Sequence, residues 1–430
     1  MIPAGRRILF VSLGSHGDIH PFVAMGRELV ERGGAAAMLT NPHFGPLVAA
    51  AGLSLQSFGE AQSVRQVVSS HRDSMHALKG PMVVLRRMLG PMIAPMLETL
   101  RRAIRTFKPD AVVAHQLCIG SRWVCEQEGV PFATVALAPC GWMNPNDQLA
   151  MTPMRSHTPS RRAVRFDVWM GKWFTGFALD GMLNDVRRSM GLAPSRFHWY
   201  REIEAAALNL GLWSPHLRGP VAGDPPGASI CGFPYFDADP AQQTDETELD
   251  AFLASGPPPV VFTLGTAVVH ARPDFFPLAA HAAAMAGCRA VLVTGSRDYV
   301  PAALAGNIVT VPYARFSSLF GRAGVIVHHG GIGTMAQAMR AGKPTVIVPA
   351  AHDQFDNAAR AVRLGVSQTV KLPNIRADRL AAAIREVAAD AAVASRARTL
   401  AAALGPEHAA SNALESIERL IAGTGRQSST

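Results

Sequence analysis

The chain has 430 residues, 48% hydrophobic and 17% charged, with Lys+Arg 41 against Asp+Glu 32 and a formal net charge of +9. This length asks for two domains of about 200 residues each, and the composition excludes a disordered or collagen-like chain. The cations come in scattered pairs, Arg86 with Arg87 and Arg161 with Arg162 among them, which excludes a dense nucleic-acid stripe and suits an anionic small ligand or lipid face.

The apolar run 8–13 predicts a buried strand and is too short for a signal peptide. A polar loop follows, Gly14-Ser15-His16-Gly17-Asp18-Ile19-His20-Pro21, then a helix over 22–31 that stops at Gly33 and Gly34. Strand, loop and helix recur: strand 35–40 with a helix near Pro46, strand 111–115 with a helix to Gly129, and strand 131–138. The helix 82–107 carries Met88, Met92 and Met96 at four-residue spacing, a stripe that reads as core packing. Residues 141–177, rich in Met, Trp, Pro and Arg, read as an irregular insertion. A helix near 180–190 and a strand at 208–213 close the first half.

Pro, Gly and Asp crowd the stretch after it. A second series comes next, with strands at 260–264, 290–294, 308–311, 325–328 and 345–348 and an Ala/Arg-rich helical tail. The expected architecture is α/β, two Rossmann-like doubly wound domains facing across a cleft. The expected boundaries are 1–218 for the first domain, 219–240 for the linker and 241–405 for the second domain. A C-terminal helix, 406–430, packs back on the first. The five cysteines are odd in number and show no metal-like spacing, so they read as reduced thiols in a reducing, cytoplasmic compartment. No stretch reaches about 18 uncharged apolar residues, which leaves at most a peripheral association with the inner face of the plasma membrane, or a loose one with an acceptor-synthesising enzyme.

The informative segment is Val327-His328-His329-Gly330-Gly331-Ile332-Gly333-Thr334. Glycines at the start of a helix let the backbone approach an oxyanion, and the helix N-terminus offers free N–H groups and a positive dipole. His328 can add a donor and Thr334 a hydroxyl, which together make a diphosphate cradle. One strand later His352-Asp353-Gln354 opens another helix, a carboxylate beside an amide, suited to vicinal hydroxyls.

The runs HHGGIGT and AHDQFDNA resemble the donor-site signature of the family 1 glycosyltransferases, inverting enzymes of the GT-B fold. The loop GSHGDIHPF is similar to that family's acceptor-side loop. The run HDQFDNAARAVRLG and the segment GFPYFD bring the chain nearest to members that rhamnosylate bacterial lipids. The resemblance implies a catalytic base at Asp18, with His16 assisting and His20 on the acceptor side. It implies donor contacts at Thr266, Tyr313, Ala314, His328, Gly330, Gly331, Gly333, Thr334, Asp353 and Gln354. The acceptor would meet Trp142, Met143, Trp169 and Trp173, with Met151, Met154 and Phe174 nearby. Relatives that take UDP-sugars carry a ribose-binding Glu eight residues past the phosphate histidine. Here that position is Ala336, beside Gln337. This favours a dTDP-sugar, dTDP-L-rhamnose first, and leaves UDP-sugars open. A 3-(3-hydroxyalkanoyloxy)alkanoate is the acceptor that the resemblance implies, with a polyketide or sterol as the alternative.

No cofactor or metal is implied. Asp237-Ala238-Asp239 spells D-x-D but reads as a solvated acidic turn of the linker. Two other readings compete. Gly331 to Ala336 matches G-x-G-x-x-A, with Asp353 20 residues after Gly333, as in NAD(P)-binding oxidoreductases; no such run follows the first strand. A non-catalytic partner subunit would not need Asp18, His328 and Asp353 together. Asp18 could also serve only to cap its helix.

Overall fold

Parallel sheets with helices on both faces bury their strands completely, and that is how the short apolar runs of this chain are used. In the computed structural model, residues 5–152, 157–236, 247–301, 306–372 and 375–427 are described. The first sheet holds β1 (Arg7–Val11), β2 (Ala35–Thr40), β3 (Ser54–Ser57), β4 (Ala111–His115), β5 (Phe132–Ala136), β6 (Leu208–Gly211) and β7 (Ala228–Ile230). The second holds β8 (Val260–Thr263), β9 (Ala290–Val293), β10 (Ile308–Val311), β11 (Val325–His328), β12 (Thr345–Ile347) and β13 (Ser367–Thr369). The strand orders are β3-β2-β1-β4-β5-β6-β7 and β10-β9-β8-β11-β12-β13, with the adjacent pairs parallel.

In each sheet the order reverses beside its first strand, between β1 and β4 and between β8 and β11. Loops leaving the two strands there diverge and open a crevice at their C-terminal ends. Asp18 lies past β1, and His328 ends β11. Both expected site segments therefore stand at switch points.

Five helices build the cleft, its walls and its outer rim: α1 (His16–Glu31), α2 (Arg161–Ser189), α3 (Ile332–Arg340), α4 (Gln354–Arg363) and α5 (Ala409–Gln427). Two of them correct expectations. α1 begins six residues before the predicted start, with Ser15 as its N-cap, so Asp18 is part of the helix. α2 turns much of the supposed irregular insertion 141–177 into a helix of 29 residues. The stretch 219–240 is not all linker, because it supplies β7, whose three residues are too few to show alternation. Asp237-Ala238-Asp239 and Met154 lie outside the described residues. α5 returns to the first domain, where Ala413, Leu414 and Ile417 join the core of Ile19, Phe22 and Leu29. Arg6 Nη2 pairs with Glu418 Oε1 at 2.7 Å.

The domains meet through an apolar seam and a chain of buried charges. In the seam, Trp142, Trp213 and Leu217 pack with Met335, Met339, Ile347 and Ala358. In the chain, Asp356 accepts from Arg360 Nε at 2.7 Å, and Arg360 Nη2 donates to Asp147 Oδ2 at 2.9 Å. Arg218 Nε donates to the same oxygen at 3.0 Å and continues to Asp224 at 2.6 Å. Asp356, Arg360, Asp147 and Arg218 are 0%, 4%, 8% and 4% exposed. Burial alone would raise the Asp147 carboxyl, but Arg360 and Arg218 outweigh it and hold it below its ordinary range.

Removing one partner from such a chain leaves a buried charge uncompensated, at about 3–5 kcal/mol. Asp147→Asn should lower the unfolding free energy by about that much, read from the urea midpoint. The carboxyl is depressed in the folded chain, so its stabilisation is full above the unfolded value near pH 4 and fades as pH falls below it. The gap between wild type and variant should close over that acid range; a gap unchanged down to pH 2 would contradict the assignment.

Candidate active site

Past β1 the backbone turns sharply at Gly14, whose φ is 131°. A Cβ there would lie 2.3 Å from Asp18 Oδ2, so only glycine lets the carboxylate fold back over the loop. Oδ2 accepts from Ser15 N at 2.7 Å and from Ser15 Oγ at 3.0 Å, and Ser12 Oγ donates to the Asp18 carbonyl at 2.8 Å. The capping role is thus present, and the bonds it makes fall on one oxygen of the two. His16 stands 5.5 Å from His20, ring to ring, and His20 packs on Phe236 at 5.3 Å. His115, 4% exposed at the end of β4, stands edge-on to Phe22 and has no hydrogen-bond partner for Nδ1 among the described residues. Burial holds this imidazole below its ordinary value, against the opposing charge of Asp18.

Past β11 the two histidines part company. His328 is fully buried, and its Nδ1 accepts from Gly330 N at 3.1 Å. It braces the turn from below. The ring of His329 lies between two loops: a Cβ on Gly265 would come within 2.4 Å of its Cε1, and one on Gly331 within 2.3 Å of its Nε2. His329, not His328, is therefore the imidazole set between the turn after β8 and the turn after β11. Burial pushes His328 down to about 3 and His329 down to about 4, so both rings are neutral at pH 7. Strand geometry holds the signal that separates them: the last strand residue is clamped by β8 and β12, while the next one stands on the loop.

Gly330, with φ at 87°, makes the turn, and Asn357 Nδ2 donates to its carbonyl at 2.9 Å. Helix α3 makes its first backbone bond from Met335 N to Gly331 O. The N–H groups of Ile332, Gly333 and Thr334 therefore have no acceptor inside the helix. Gly333 is exposed, and a Cβ on it would meet nothing within 4 Å. Thr334 is 8% exposed, and Thr266 and Tyr313 are half-buried. Ala314 belongs instead to the second core at 1% exposure.

The pair at the start of α4 divides its work. Asp353 accepts from Asn357 Nδ2 at 2.7 Å. Burial pushes its carboxyl up to about 7, Asn357 works against that, and the charge of Asp18 across the cleft adds to it. Gln354 spends its amide oxygen on Ala350 N at 2.9 Å and Ala351 N at 3.1 Å, which leaves only its Nε2 for a ligand. His352, in the left-handed region at φ 57°, reaches the first domain with Nε2 2.9 Å from the Ser74 carbonyl. Ile332 packs against the first-domain core and against the cluster of Ala138, Cys140, Leu149 and Val164. The helix N-terminus, Asp353 and Asp18 thus converge on one cleft.

The acceptor-side expectations fare differently. Trp142 is 6% exposed and packs edge-on to Trp213 at 4.6 Å, so it belongs to the seam. Trp169 and Trp173 stand on the outer face of α2, 52% and 44% exposed. Met143 sits against Gly171 of the same helix.

Residues 283–420 match the family model described as erythromycin biosynthesis protein CIII-like, C-terminal domain. Over 437 residues the chain is 30% identical to the O-mycaminosyltylonolide 6-deoxyallosyltransferase of Streptomyces fradiae, covering 96% of this chain and 97% of that one. Among solved structures it superposes on the glycotransferase of kitacinnamycin with a TM-score of 0.75 and 22% identity, over 97% and 100% of the two chains. It superposes on a Streptomyces sp. SF2575 glycosyltransferase complexed with thymidine diphosphate with a TM-score of 0.66 and 18% identity, over 96% and 99%.

Two glycines two residues apart separate a ligand-binding turn from a merely tight one. Gly331→Ala drives a methyl into the His329 ring and should weaken nucleoside diphosphate binding at least about tenfold, about 1.4 kcal/mol. Gly333→Ala meets open space and should stay folded, yet its methyl stands where the phosphate would rest. Calorimetric titration with dTDP checks both; unchanged affinity in the two variants would remove the cradle.

Proposed function

The chain belongs to the family 1 GT-B nucleotide-sugar glycosyltransferases, and from that premise we propose a metal-independent, inverting transfer of a 6-deoxyhexose from a dTDP donor to an acceptor hydroxyl. The observation that carries the proposal is the open N-terminus of α3 lying across the cleft from Asp18.

In this reading the diphosphate rests on the N–H groups of Ile332, Gly333 and Thr334, with His329 and Thr266 at its sides. Because both histidines are neutral, dipole and hydrogen bonds meet the charge that grows on the leaving diphosphate. Asp353 grips sugar hydroxyls as a carboxylate. Asp18 Oδ1 takes the acceptor proton as the acceptor oxygen bonds to the anomeric carbon and the carbon–phosphate oxygen bond breaks. His16 and His20 orient the acceptor. Counting eight residues from His329 rather than His328 reaches Gln337, 7% exposed, so neither register supplies a ribose-binding carboxylate. That supports a 2′-deoxyribose donor.

The relatives support a natural-product hydroxyl as acceptor. L-Rhamnose carried to a hydroxylated lipid is the second reading, and the apolar, basic outer face of α2 favours it. A saturation-transfer NMR screen of dTDP-rhamnose, UDP-glucose and UDP discriminates among donors; binding of UDP-sugars alone would overturn the donor assignment.

Asp18→Asn keeps an oxygen for the Ser15 bonds and removes the base. It should bind dTDP as wild type does and lose about 10²–10⁴-fold in kcat, measured with EDTA present throughout. Turnover within twofold of wild type would remove Asp18 from the mechanism.

The raised Asp353 carboxyl gives a pH signature. Below about 7 it is protonated and grips hydroxyls less well, so kcat/KM should rise as pH climbs through that value. Asp353→Asn should lower kcat/KM and abolish that limb; an identical profile in the variant would place the titrating group elsewhere.

A further inference from the structure

We propose that the outer face of α2 docks on an anionic lipid surface. Eight large apolar side chains are conspicuously exposed among the described residues, and five of them stand on this helix. They are Phe166, Trp169, Met170, Trp173 and Phe177, at 54%, 52%, 44%, 44% and 72% exposure. Their spacing of three, four, seven and eleven places them on one face, about 16 Å long at 1.5 Å per residue. The opposite face holds the fold: Val164 packs beside Ile332, and Ala178, Leu179 and Leu183 pack into the first-domain core.

The charges around this stripe name the partner. Arg161, Arg162 and Arg165 are exposed in the opening turns of α2, the end where the helix dipole favours anions and repels cations. An anionic surface resting there relieves that conflict. Arg86 lies 4.6 Å over the Phe177 ring, and Arg196 lies 5.1 Å over Trp173. Beside the stripe is a shallow concavity lined by Arg122, Lys172, Phe197, Arg201, Glu204 and Ala205; Arg122 pairs with Glu126 and Lys172 with Glu204, so the excess positive charge there is that of Arg201. Within 161–177 there are four cations and one acid, Asp167. Tryptophan and arginine around a flat apolar stripe suit the headgroup–acyl boundary, where a helix lies in the plane of the interface. No helix among the described residues is long and apolar enough to cross a membrane, so the contact is peripheral. Lipid docking stands apart from sugar transfer, because its test reads binding alone.

The test is cosedimentation of the full chain with vesicles of phosphatidylcholine alone, or with about one-third phosphatidylglycerol, together with tryptophan emission. The expected result is binding to the anionic vesicles only, weakened by salt, with a blue shift. Trp169→Ser with Trp173→Ser removes two exposed rings and should cut the bound fraction at least about tenfold. Arg161→Glu with Arg162→Glu and Arg165→Glu should abolish binding. All five positions are exposed, so circular dichroism should be unchanged. No binding of wild type at low salt overturns the proposal, and so does binding that both variants retain. Sedimentation velocity showing a dimer lost in the tryptophan variant, without vesicle binding, would assign the face to a second copy instead.

Discussion

Asp356, Arg360, Asp147 and Arg218 form a line of buried charges between the domains, and the geometry of the cleft depends on it. An apolar seam tolerates sliding. Charges held at 2.7–3.0 Å do not, since each displacement leaves an ion unsolvated. Arg360 belongs to α4, and the same helix begins beside Asp353. The contact that sets the domain orientation therefore also sets where the Asp353 carboxyl stands relative to Asp18. Asp356 ties in a second thread, accepting from Ala150 N at 2.9 Å.

Around this frame the cleft is built by omission of side-chain atoms. Gly14 leaves room for a carboxylate, and Gly265 and Gly331 leave room for the His329 ring. Burial then sets the electrostatics. The histidines of the turn stay neutral, so the positive potential facing an anion comes from the backbone at the start of α3. The carboxyls of Asp18 and Asp353 come from different domains and stand near enough for the charge of Asp18 to raise Asp353.

α2 shows the same economy on a larger scale. Its inner face completes the first core and touches the cluster that holds Ile332, while its outer face stays apolar with cations at its rim. A helix that is apolar on both faces carries no clean period. That is why residues 141–177 read as irregular and why only the end of the longest helix of the described chain, near 180–190, was visible in the residue pattern.

The alternation of apolar runs with glycine-bounded helices was enough to specify two parallel sheets, because strands buried on both faces must be continuously apolar. The histidine–glycine turn and the helix start at Asp353 were legible because turn chemistry is written within a few residues, whereas the residue pattern starts α1 six residues late and leaves Asp18 in a loop. The short strands β3, β7 and β13 lack a period that residues alone could reveal. Only the tertiary structure decided which histidine of the pair meets the cleft, since that depends on the clamp of β8 and β12 around the last residue of β11. It alone placed Trp142 in the seam and paired Asp147 with Arg360, 213 residues apart. Contacts at such separations depend on how two domains are set against each other, and no local spacing encodes that.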